Sequence, residues 1–179
     1  MMKNSDTVIA TFESHGLAEK AIKKLSAEGF DIKNLSIVGK GYRTDEQVVG
    51  FYNMDDRIKF WGVNGAFWGG LWSLLTGGVF ITIPLFGPVI VLGYLATLVV
   101  SAVEGAVVVG GLSALGAALV GIGIPKNSVI TYESAIKADK FLVMAHGSNA
   151  DVGHAKKILE KSDPANVTFH DAATTNLAA

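Results

Sequence analysis

The sequence predicts an α+β fold: a ferredoxin-like βαββαβ domain interrupted by a long hydrophobic helical hairpin insertion. Three observations carry that prediction. The charged residues fall in two outer zones and leave the stretch 60–125 with Glu104 as its single formal charge. Each outer zone contains a strand-like run, an amphipathic helical stretch and a second strand-like run. The apolar middle is split by Pro84-Leu85-Phe86-Gly87-Pro88, a concentrated turn signal.

The first outer zone, 1–59, supplies the first βαβ half and a linker. Thr7–Phe12 (TVIATF) is rich in β-branched residues and reads as a strand. Ser14 is placed to cap a helix in which Leu17, Ala18, Ala21, Ile22 and Leu25 recur at helical spacing, and Gly29 ends it. Leu35–Val38 reads as the next strand. The second half, 126–170, repeats the plan, and 171–179 reads as a flexible tail. Phe141–Ala145 is strand-like, Asn149 is placed to cap a helix with the stripe Val152, Ala155, Ile158 and Leu159, Asp163-Pro164 breaks it, and Val167–His170 closes the sheet. Two βαβ units in series make the split βαβ arrangement. Neither half alone buries enough surface to be stable, so one shared sheet is expected.

The middle, 60–125, is read as two long helices, one over about Asn64–Ile83 and one starting near Pro88. Each is long enough to span a bilayer, which takes about 20 apolar residues. Gly105–Gly123 is taken as a helical continuation near the interface. Arg57, Lys59 and Lys126 flank the hairpin and place both termini on the cytoplasmic side of an inner membrane. Trp61, Phe67, Trp68 and Trp72 suit an interfacial aromatic belt. Gly65, Gly69, Ser73 and Gly77 recur every four residues, as do Gly93, Thr97, Ser101 and Gly105. Such small-residue stripes let helix backbones approach closely in lipid, and they point to a homo-oligomer.

Composition sets the broad class. The chain has 179 residues, 50% of them hydrophobic and 17% charged, with a mean hydropathy of +0.40. Soluble domains average about 25% charged residues. The net charge of −1 offers no basic stripe for nucleic acid, and the absence of cysteine excludes disulfides and thiol chemistry. Met1–Ser14 lacks the apolar run of a cleaved signal.

Candidate chemistry is sparse, and no catalytic residue, metal ligand or cofactor is assigned. Glu104 is either an intramembrane proton or cation site or the marker of a membrane exit. His15, His146, His154 and His170 follow no recognised ligand spacing and read as solvated or capping residues. Gly39-Lys40-Gly41 lacks the further residues of a phosphate loop and reads as a turn.

Several motifs together resemble a known family. They are Trp61–Gly78 (WGVNGAFWGGLWSLLTGG), the Gly123-Ile124-Pro125 run followed by Tyr132-Glu133, and the Lys140–Gly147 strand. The chain from about Thr7 to His170 resembles bacterial general-stress proteins of the DUF1269 type, related to the general stress protein 17M-like domain. The resemblance implies a membrane protein of undefined activity and carries over no catalytic residue. The functional expectation is a non-enzymatic, stress-associated membrane protein that self-assembles through its glycine-rich helices in the lipid bilayer. Two alternatives stand beside it: an oligomeric scaffold whose apolar hairpins enclose a lipid or quinone and serve a partner complex, and an ion or proton pathway through Glu104.

Overall fold

The computed structural model describes residues 5–40, 79–83, 87–104 and 113–172. In chain order these form β1 (Asp6–Phe12), α1 (His15–Ala27), a 3-10 turn (Ile32–Asn34), β2 (Leu35–Lys40), β3 (Val79–Ile83) and β4 (Gly87–Gly93). There follow α2 (Tyr94–Glu104), α3 (Ala114–Gly121), α4 (Lys126–Lys137), β5 (Phe141–Gly147), α5 (Asn149–Glu160) and β6 (Asn166–His170). The six strands make one sheet in the order β3-β4-β2-β5-β1-β6, with every pair antiparallel.

The outer zones fold as their patterns require. Ser14 caps α1, its side chain accepting from the Leu17 amide, and Ala18, Ala21, Ile22 and Leu25 are buried. Gly29 ends the turn with a φ of +81°, a left-handed conformation that costs glycine little. The cap of α5 is Ser148, with Asn149 as the first helical residue, one position from the expected cap. Val152, Ala155, Ile158 and Leu159 are buried as the stripe predicts. The four strands of these zones lie side by side as β2-β5-β1-β6, so the two halves do share a sheet.

The middle departs from expectation. Val79–Ile83 and Gly87–Gly93 are antiparallel strands, where the sequence pattern predicts the end of one helix and the start of another. The turn signal at Pro84–Pro88 therefore falls between two strands, not between two helices. The runs VFITI and PVIVL are dominated by β-branched residues, which pack well on a pleated surface, and β2 offers an edge for β4 to pair with. The helix begins only at Tyr94 and has 11 residues, about 16 Å at 1.5 Å per residue against a hydrocarbon core of about 30 Å. Among the described residues no helix is long and apolar enough to cross a membrane. This overturns the membrane-embedded function, the transmembrane assignment and the inner-membrane localisation with its cytoplasmic termini. It also removes the ground for an intramembrane Glu104 pathway and for bilayer-packed hairpins. Residues 64–78 of the first expected helix, the aromatic belt and the flanking Arg57 and Lys59 lie outside the described residues.

The apolar middle instead supplies a second layer. On one face of the sheet, Val8, Ala10, Phe12, Ile37 and Val143 pack against α1 and α5. On the other, Ile9, Val38, Val91, Leu142 and Met144 pack against Leu95 and Val99 of α2, Leu115 and Leu119 of α3, and Val129, Tyr132 and Ile136 of α4. All seven residues of β1 are buried, as expected of a strand covered on both faces. Helix α4 was not anticipated, although Val129, Tyr132 and Ile136 carry the three-and-four spacing of a helical face.

Candidate functional site

Residue alternation along the strands leaves a polar row at one end of the second face. Thr7 pairs with His146 on one side and with His170 on the other, so the three side chains share a face across β5, β1 and β6. At about 4.8 Å between strands, the two histidine backbones are on the order of 10 Å apart. Helices α2 and α4 each set a tyrosine against this row. The Tyr94 ring lies over His146 with centroids 4.4 Å apart and planes inclined by 34°. Tyr132 meets His170 edge-on, with its hydroxyl 2.7 Å from Nε2.

Both tyrosines are placed by local geometry. Gly93 turns β4 directly into α2 with a φ of +88°, and a Cβ there would run into the Leu35 carbonyl oxygen. The buried Ser36 hydroxyl accepts from the Leu95 amide at 3.0 Å and ties the first turn of α2 to β2. Tyr132 follows Pro125, which starts α4, and projects from the helix face that carries Val129 and Ile136.

Burial governs the protonation of the row. It pushes the His146 and His170 imidazoles below the usual histidine range, so both are neutral near pH 7. Burial also raises the Tyr132 phenol, and a hydrogen bond with the Thr168 side chain partly offsets this. His146 Nδ1 is buried and has no hydrogen-bond partner among the described residues. In a neutral ring that atom is either a donor without an acceptor or an acceptor without a donor. Leaving such a group unmet costs about 1–3 kcal/mol.

The residues singled out from sequence are dispersed. Gly65, Gly69, Ser73, Gly77 and Gly105 lie outside the described residues. Gly93 serves the strand-to-helix turn within the chain. Thr97 and Ser101 are exposed on α2, and their hydroxyls bond back to the carbonyls of Tyr94 and Thr97. Glu104 closes α2. His15 opens α1 with its ring edge-on to Phe141, and His154 is exposed on α5. Gly39 and Lys40 belong to β2, not to a turn, and Lys40 pairs with Asp139 at 2.7 Å. His146 and His170 depart from the solvated role expected of them, because strand register brings residues 24 positions apart into one row. Among the described residues no group of three or more histidine or acidic side chains is arranged to hold a metal ion. No family model, curated protein or solved structure matches this chain.

Proposed function

We propose that the chain is a non-enzymatic ligand-binding domain. Its frame is a ferredoxin-like βαββαβ unit formed by β1, α1, β2, β5, α5 and β6, to which β3, β4 and the helices α2–α4 add a second cover. The strand order β2-β5-β1-β6 supports that frame. The binding element in this reading is the His146–Thr7–His170 row with its two tyrosines.

The single observation that carries the proposal is the buried, unpartnered Nδ1 of His146. Buried polar atoms in folded proteins nearly all have partners, so an unmet one calls for an explanation. A bound molecule that supplies the missing hydrogen bond is such an explanation. The surroundings favour a small neutral ring compound with a polar group at its edge, because the Tyr94 ring face and the second core are apolar. A quinone carbonyl would accept from Nδ1–H, and a phenolic hydroxyl would donate to a bare Nδ1. A catalytic role for the Tyr132–His170 pair is disfavoured by the raised phenol, since an activated nucleophile needs a lowered pKa.

The test is titration of the protein, labelled at the histidine ring nitrogens, with duroquinone and separately with phenol. One of the two is expected to shift the His146 ring resonances and to raise the melting temperature with concentration. His146→Phe is expected to abolish both effects. No shift with either compound up to its solubility would sink the proposal.

A further inference from the structure

The His146 contact has a second consequence, independent of what the row binds. Helix α2 touches the sheet end through Tyr94, whose ring rests on the imidazole. The helix is otherwise held at this end by the Ser36 hydroxyl and by the buried Leu95 and Ala96. The ring nitrogen that would take up a proton on acidification is the buried Nδ1 that has no acceptor beside it, if the neutral ring carries its hydrogen on Nε2.

We propose that His146 and Tyr94 form an acid-sensitive latch: protonation of the imidazole releases the N-terminal end of α2 from the sheet. A protonated Nδ1 would place a charged N–H in a dry site without an acceptor. Lifting Tyr94 admits water and satisfies that group. Two effects oppose each other in the closed state. The tyrosine face attracts an imidazolium, while desolvation penalises the charge. Burial lowers the His146 pKa, so it is the charged form that the closed site disfavours.

Among the described residues, the titratable groups at this end of the face are Tyr94 from α2, Tyr132 from α4 and His170 from β6, while Lys40 of β2 shares the face at its far end and pairs with Asp139. Asp6 is one residue from Thr7 but points to the other face, where it accepts from Asn149 Nδ2 at 2.7 Å and from the Ala172 amide at 3.0 Å. Of the charged residues of α4, Lys126 and Lys137 are exposed and Glu133 accepts from Ser113. His170 contrasts with His146, since its protonated Nε2 can still donate to the Tyr132 oxygen while that hydroxyl turns to Thr168. Protonation is therefore accommodated beneath α4 but not beneath α2.

The sign follows from linkage. The folded pKa of His146 lies below the unfolded value of about 6.5, so its contribution to stability is complete above that pH and is lost as pH falls toward the folded pKa. Amide hydrogen exchange of the full chain at pH 7.5 and 5.5, corrected for intrinsic rates, is the experiment. Amides of Leu95–Val99 are expected to lose protection, by up to about tenfold between these two pH values, while α1 holds its protection. His146→Phe keeps a ring under Tyr94 but cannot titrate, and its α2 protection is expected to be flat with pH. An equal loss in the variant, or none in the native chain, would overturn the latch. Should the variant fail to fold, the native chain decides: the Tyr94 ring resonances must move with the His146 titration, and static resonances refute the proposal.

Discussion

Gly93 shows how much one backbone position decides. Its φ of +88° lies in the left-handed region, and the Leu35 carbonyl oxygen occupies the place a Cβ would take. Gly93→Ala therefore meets two penalties, conformational and steric, and is expected to cost about 2 kcal/mol or more in urea denaturation. Gly153 is the counter-case. It sits inside α5, and a methyl group added there would have open space for 4 Å around it, so Gly153→Ala is expected to stabilise by about 0.5–1 kcal/mol. Equal effects at the two positions would contradict this account. The two glycines look alike in sequence. Nothing near Gly93 in the chain announces Leu35, which comes 58 positions earlier and approaches only through the pairing of β2 with β4.

At the scale of elements, caps and tethers separate what is local from what is not. Ser14 and Ser148 cap α1 and α5 from adjacent positions, and such caps are readable from sequence. The start of α2 has a different arrangement, in which Ser36 from β2 accepts from the Leu95 amide. Ser36→Ala is expected to leave that buried amide unsatisfied and to cost about 1–3 kcal/mol, read as a lower urea midpoint with an unchanged slope. A loss under about 0.3 kcal/mol would mean that the tether is idle. The same distinction explains why the middle runs against its sequence pattern. A short apolar run fits a buried strand or a buried helix equally well by periodicity. The β-branched content of 79–83 and 89–91 favours strand, but an available edge on β2 is what allows it.

Among the described residues, the sheet is covered by helices on both faces. Val8 and Ile9, neighbours in β1, enter opposite cores. The two cores are therefore coupled through one strand and should unfold together. Leu25→Ala in α1 and Leu115→Ala in α3 each remove a side chain that is 0% exposed, and each is expected to cost about 2–5 kcal/mol. Unfolding followed by helical signal and by tyrosine fluorescence should give one coincident transition in both variants. A separate early transition in Leu115→Ala would mean that the second helical layer is an independent unit.

By itself the sequence determined the two outer βαβ halves. Their strands are rich in β-branched or apolar residues, their helices carry a buried stripe, and their caps and breakers lie within a few residues of the elements they bound, so short-range physics suffices. It also marked 60–125 as an apolar segment with Glu104 as its one formal charge. Where that apolar surface goes was decided by tertiary structure. Hydrophobicity is non-directional, and it rewards a lipid bilayer and the open face of a sheet alike. For the described part of the segment the choice fell to the sheet, because β2 offered β4 a hydrogen-bonding edge and Ile9, Val38 and Met144 offered α2–α4 an apolar face. The candidate site was settled in the same way: His146, Thr7 and His170 become neighbours only through antiparallel register, a long-range pairing that local sequence does not encode.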